Sequence, residues 1–80
     1  MILVNGQIEV LAAADYAYNA NMTVGTTLLE FSIDNEPFTE IEGANYSASA
    51  NGIMSLPNCR LRATITGDAI VALKAQQNTR

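Results

Sequence analysis

Hydrophobic and polar residues alternate with a period of two along most of the chain. Such alternation over several short segments is typical of antiparallel strands that place one face on a core. The pattern predicts strands at residues 2–4, 7–11, 16–23, 27–33, 38–42, 45–50, 53–56, 59–66 and 69–74. The alanine-rich stretch 11–17 is the one place where a single helical turn is also compatible with the sequence.

Turn residues separate these segments. Asn5-Gly6 and Asn51-Gly52 predict tight hairpins, because a type I′ turn needs positive φ at both central residues. Gly67-Asp68 and Asp34-Asn35-Glu36-Pro37 predict two further turns. The spacing of these signals predicts an all-β chain, a small antiparallel β-sandwich or jelly-roll-like domain of about seven to nine short strands.

One domain is expected to cover residues 1–80, with residues 1–6 as an N-terminal arm and residues 76–80 as a loose tail. The inward positions predict a core of Leu29, Phe31, Ile33, Leu61, Ile65, Val71 and Leu73, with contributions from Ile8 and Val10. Cys59 shares the inward register of Leu61, which favours a core role for its thiol.

The composition excludes most catalytic and metal chemistry within one chain. The 80 residues include no His and one Cys, so neither an internal disulfide, the common zinc ligand sets nor a His-dependent catalytic triad can form. We therefore expect no enzyme, no metal and no cofactor. A domain this small is marginal alone, and oligomerisation is the remaining common source of stability.

The charge balance excludes two further classes of partner. A formal net charge of −4 with four scattered basic residues is a poor footprint for nucleic acid. No apolar run approaches the roughly 20 residues of a membrane-spanning helix. The start lacks the positive region of a secretory signal, so synthesis in the cytoplasm is expected.

An acidic stretch and an arginine pair each have two interpretations. Carboxylates at 34, 36, 40 and 42 could hold calcium, although the spacing is not that of an EF-hand and a solvated rim is the simpler interpretation. Arg60 and Arg62 lie two apart on a predicted strand and so share a face. They are expected to form cross-strand ion pairs or to serve as polar anchors of an interface.

Tyr16 and Tyr18 are equally compatible with an interface and with the core, because each ring has an apolar body and a polar tip. Ile2, Leu3 and Val4 form an apolar start that would add a strand to a neighbouring chain. The predicted outward positions carry few charges, and charged residues make up 15% of the chain against about a quarter in an average domain. Such a surface is typical of a subunit packed against copies of itself or onto a larger assembly.

Four segments of the second half of the chain form a distinctive pattern of strand and turn residues. They are residues 27–35, residues 46–52, residues 56–63 with the Leu56-Pro57 bend, and the closing Thr66-Gly67-Asp68-Ala69. This pattern resembles small bacteriophage virion proteins of the β-sandwich type. It covers about residues 24–74, includes no catalytic motif, and leaves the first 23 residues unmatched. The resemblance implies that the chain is a capsid decoration (cement) protein or a short head or tail fibre module.

The resemblance implies a chain made in the host cytoplasm and assembled into the virion as a dimer or trimer. The function expected from it is that of a capsid decoration protein, which stabilises the phage head by contacts with the major capsid protein or another virion protein and with copies of itself. The alternative is a fibre or tail-tip module that binds a receptor or glycan, which would need an exposed tyrosine at 16, 18 or 46. An enzyme inhibitor, which needs only a surface, also stays open.

Overall fold

The segments of alternating hydrophobic and polar residues form strands of two packed antiparallel sheets. The computed structural model describes residues 1–76. Its seven strands are β1 (Ile8–Leu11), β2 (Ala14–Asn21), β3 (Gly25–Ser32), β4 (Thr39–Tyr46), β5 (Ala50–Leu56), β6 (Cys59–Gly67) and β7 (Ile70–Ala75). A four-stranded sheet has the order β1-β6-β3-β4, and a three-stranded sheet has the order β5-β2-β7. The prediction of a small all-β sandwich is confirmed.

The core lies between the inner faces of the two sheets. It consists of Leu3, Leu11, Tyr16, Ala20, Met22, Leu29, Ala44, Leu56, Cys59, Leu61, Ala63, Val71 and Leu73. Four of the seven predicted core residues, Leu29, Leu61, Val71 and Leu73, are almost completely buried, and Phe31 and Ile65 pack partly against them. Ile33 was wrongly placed in the core, because it precedes the β3–β4 turn and remains 40% exposed.

Strand β1 faces the opposite way from the prediction. Ile8 and Val10 are 45% and 80% exposed, so neither contributes to the core. The register with β6 pairs Leu11 with Cys59, a buried position, and this pairing turns Ile8 and Val10 toward solvent. Moving the register of a strand by one residue exchanges its inner and outer faces. A strand of four residues contains too few hydrophobic positions to predict which face is inside.

The predicted turn at Asn51-Gly52 is wrong, because both residues lie inside β5 and pair with Asn19 and Tyr18 of β2. Gly52 leaves room there for the Tyr18 ring, since a Cβ at this position would lie 3.0 Å from the Tyr18 hydroxyl. The preceding connection lies at residues 47–49, so the predicted strands 38–42 and 45–50 are replaced by β4 and the start of β5.

Turns form at the other predicted sites, but only the one at residues 34–37 closes a hairpin, and the hairpins expected at Asn5-Gly6 and Gly67-Asp68 are wrong. Asp34 and Asn35 both have positive φ, 56° and 62°, and the Glu36 amide donates to Ile33 O at 3.0 Å, as in a type I′ turn between β3 and β4. Gly6 has a φ of 79° in a turn closed by the Gln7 amide and Val4 O. This turn joins the edge of one sheet to β1 of the other and forms no hairpin.

The predicted helical turn within residues 11–17 is replaced by the β1–β2 connection, since β1 ends at Leu11 and β2 begins at Ala14. The predicted tail begins at Gln76, whose amide donates to Asp15 O at 2.7 Å. Its other residues, 77–80, lie outside the described residues.

Gly67-Asp68 forms the corner where the chain leaves the four-stranded sheet for the three-stranded one. The Asp68 carboxylate accepts the amides of Thr23 and Val24 at 2.9 and 3.1 Å, and the Asp68 amide donates to Val24 O. These bonds connect the β6–β7 corner to the β2–β3 corner. The hydrogen bond from the Thr23 amide is the main cause that lowers the pKa of Asp68.

We expect Asp68 to make the stability of the fold depend on pH. A carboxyl whose pKa is lower in the folded state stabilises the fold above its unfolded pKa of about 3.9, and this contribution disappears as pH falls through the folded pKa. Asp68→Asn, which keeps an oxygen acceptor but removes the charge, should therefore lower the thermal midpoint at pH 7. Thermal melts of both proteins should converge as the pH falls below about 4, and a constant gap would contradict the assignment.

Candidate interaction surfaces

The outer face of the three-stranded sheet carries two charged residues of opposite sign. The sequence places one acidic and one basic residue on its strands, Asp15 in β2 and Lys74 in β7, and none in β5. Along the rows of paired residues, Ala17 lies between Ile53 and Lys74, and Asn19 lies beside Ala72, which pairs with Ile2 of the N-terminal segment. We call the residues Ile2, Ala17, Ile53, Ile70 and Ala72 the apolar face.

Three isoleucines of the apolar face are solvent-exposed. Ile2, Ile53 and Ile70 have exposed fractions of 59%, 65% and 59%. A shallow groove of about 360 Å³ crosses this sheet between the N-terminal segment and β2, and Ile2, Ala17 and Ala72 lie along it. Isolated exposed hydrophobic residues are common, but several on one sheet face with few charges are typical of an interaction surface.

The outer face of the four-stranded sheet carries the charge. Arg60 and Arg62 lie on this face as predicted, and Arg62 pairs with Glu30 on β3 at 3.0 Å. Phe38, which sequence reasoning missed, lies beneath both guanidinium groups, with its ring centre 4.3 Å from Arg62 Cζ and 5.6 Å from Arg60 Cζ. The two arginines are therefore held in place on the surface, and both remain partly exposed.

The tyrosines bridge the two sheets on the inside. Tyr16 is 5% exposed and its hydroxyl donates to Ala12 O at 2.6 Å, which corresponds to the core interpretation of this residue. The rings of Tyr18 and Tyr46 stack with centres 5.6 Å apart. Burial, and then the neighbouring Tyr18 side chain, raise the pKa of Tyr46 well above its usual value. Tyr16 is buried, whereas Tyr18 and Tyr46 remain partly exposed and Tyr18 also lines the groove on the three-stranded sheet.

The apolar N-terminal segment lies along β7 of its own chain. Ile2 pairs with Ala72, the Leu3 amide donates to Val71 O, and the Leu73 amide donates to Met1 O, each at 2.9 Å. Leu3 is 6% exposed and belongs to the core, whereas Ile2 and Val4 are 59% and 54% exposed. The segment thus covers the β7 edge of the sheet.

The acidic stretch does not gather into a ligand set. Within residues 1–76 no group of three or more His, Cys, Asp or Glu side chains lies close enough to hold a metal ion. The Cys59 thiol is buried, and burial raises its pKa. The same part of the chain contains no helix that is long and apolar enough to cross a membrane.

A comparison of the chain with protein-family models, with curated proteins and with solved structures finds no match. The functional argument therefore depends on the surfaces described above. Sequence reasoning found the arginine pair and the low charge of the surface. It missed Ile53, because the turn predicted at residues 51–52 interrupted the alternation that continues through β5.

Proposed function

We propose that this chain is a non-enzymatic structural protein of a bacteriophage virion, a capsid decoration protein made in the host cytoplasm. It stabilises the phage head through contacts with the major capsid protein and with copies of itself. The observation that carries the proposal is the apolar face, which presents three exposed isoleucines on a sheet with few charges. The resemblance of residues 24–74 to small virion β-sandwich proteins supports it.

The two sides of the sandwich differ in the partner that each suits. The strands of the four-stranded sheet carry six charged residues, and those of the three-stranded sheet carry two. A highly charged sheet face is stable in water, whereas a face with few charges and exposed isoleucines gains free energy when it is covered. The apolar face is therefore the side that lies against the shell. The face of Arg60 and Arg62 supplies polar contacts with neighbouring subunits.

The apolar face is large enough to contribute but too small to bind tightly by itself. Covering the remaining exposed part of one isoleucine is worth roughly 1–2 kcal/mol. Three such residues barely offset the translational and rotational cost of association. Many copies that also contact one another would bind much more tightly through multivalency, and each bound copy stabilises the assembled shell by mass action.

A matched pair of lysine variants tests the proposal. Ile70→Lys, on the apolar face, is expected to weaken binding to particles prepared without the protein by at least about tenfold, because a charge would have to be desolvated. Val24→Lys changes a residue that is 68% exposed in the β2–β3 corner, outside both sheet faces, and should bind normally. Co-sedimentation with the particles measures both, and equal losses for the two variants would contradict the proposal.

A further inference from the structure

Exposed sheet edges are hazardous because their free backbone groups can pair with another chain, and proteins protect them by recognisable devices. Three of the four edges here are protected. β1 has only four residues and directs the partly buried Glu9 inward. β4 carries Glu40 and Glu42 and is interrupted by an irregular register opposite Leu28 and Glu30.

The third protected edge is that of β7. It is covered by the N-terminal segment through the Ile2–Ala72 bridge and through hydrogen bonds from Leu3 and to Met1. This cover is short, which itself limits further pairing.

The edge of β5 has none of these devices. Its seven residues, Ala50–Leu56, include no charged residue and no proline. It pairs with β2 without interruption from Ala50 to Leu56, and none of its residues has a positive φ. Because β2 occupies one side of β5, the backbone groups on the other side are free among the described residues.

We infer that β5 pairs antiparallel with β5 of a second copy across a two-fold axis, which joins two three-stranded sheets into one six-stranded sheet. This inference deepens the proposed function, because it names the strand through which copies of the chain meet. A closed two-fold contact of this kind uses the same strand on both copies and leaves no open edge on either three-stranded sheet at β5.

The sequence of β5 is complementary to itself. When all seven residues pair, Ile53 lies on the axis and faces its own copy. On the inner face, Gly52 then lies opposite Met54, and Ala50 lies opposite Leu56, so each large side chain meets a small one. On the outer face Asn51 lies opposite Ser55, and no charge faces a like charge.

This arrangement also extends the apolar face. Ile53 is the residue of that face nearest the β5 edge, so pairing brings the two apolar faces together as one continuous surface. A dimer would therefore present twice the apolar area to a shell, which supplies the multivalency that a single copy lacks.

Sedimentation velocity of the purified chain tests the inference. We expect the wild-type protein to sediment as a dimer at the upper end of a dilution series. Ile53→Lys places two ammonium groups face to face and should weaken dimerisation at least about tenfold, with an unchanged far-ultraviolet circular dichroism spectrum. Ile70→Lys, an equally exposed position on β7, should remain dimeric.

A cross-linking variant tests the register of the β5 contact through a gain of covalent dimer and not through weakened dimerisation. Ile53→Cys should form a disulfide-linked dimer when treated with diamide, because the two thiols meet on the axis. The wild-type chain, whose Cys59 is buried, serves as the control and should not cross-link. A monomeric wild-type protein, or an Ile53→Lys protein that dimerises normally, would overturn the inference.

The outcome is separable from that of the proposed function. A monomeric chain that is nevertheless found on particles would overturn the β5 contact alone. A dimer that is absent from particles would overturn the proposed function and support the β5 contact.

Discussion

Replacing Leu61 with alanine is expected to destabilise the fold by about 2–5 kcal/mol, the range for a leucine removed from a packed core. Leu61 is completely buried in β6, where it pairs with Phe31 on one side and Glu9 on the other. The surrounding strands cannot close the space, because the pairing of β6 with both neighbours fixes their positions. Since a chain of this size has only about 4–12 kcal/mol of stability, a large part of it would be lost.

Urea denaturation followed by circular dichroism measures this loss. Thr64→Ala is the matched control, because Thr64 lies on the same strand with its side chain in solvent, and it should cost less than about 1 kcal/mol. Equal free energies of unfolding for the two variants would contradict the placement of Leu61 at the centre of the core.

Replacing Gly67 with alanine is expected to cost about 3 kcal/mol or more, from a left-handed backbone and from steric overlap together. Gly67 has a φ of 69°. A methyl group there would overlap Val24 O and would lie 2.7 Å from Gly25 Cα. Backbone atoms cannot yield as a flexible side chain does, so the start of β3 or the end of β6 would have to move.

Gly6→Ala separates the two causes. Gly6 has a similar φ of 79°, but a Cβ there would meet no atom within 4 Å, so only the backbone cost of about 1–2 kcal/mol remains. The same denaturation experiment should therefore give a much larger loss for the Gly67 variant. A Gly67 variant as stable as the Gly6 variant would contradict the close approach of Gly67 to the start of β3.

The fold class was predictable because alternation and turn residues agreed over most of the chain. Asp34-Asn35 illustrates a local signal that the structure uses, since the turn predicted there forms, with the positive φ of a type I′ turn at both residues. Asn51-Gly52 illustrates the limit of such a signal. Its glycine makes room for the Tyr18 ring of a neighbouring strand, a requirement set by tertiary packing that no local pattern contains.

The inward face of each strand and its pairing partner could not be predicted from single segments. Ile8 and Val10 seemed natural core residues, yet pairing with β6 turns them outward and directs Glu9 inward. The position of Tyr16 depended in the same way on tertiary structure, because its alternation fitted both a core and an interface. Burial and the hydrogen bond to Ala12 O place it inside.

The sequence predicted which residue types form the candidate surfaces, but it did not predict where on the fold these surfaces lie. The low charge and the shared face of Arg60 and Arg62 follow from composition and spacing. Which sheet carries the charge depends on how the strands are distributed between the two sheets, and β6 lies beside β3 while β7 lies beside β2. That distribution leaves β5 uncharged at an open edge and gathers Ile53, Ile70 and Ile2 on one side.

The central claim is that the chain works as a subunit bound to a virion. Mass spectrometry of purified particles, taken from lysates in which the chain is made, tests it most directly. The account predicts that the chain co-purifies with mature heads in a fixed ratio to the major capsid protein. Its absence from particles, while it is abundant in the same lysate, would contradict the account.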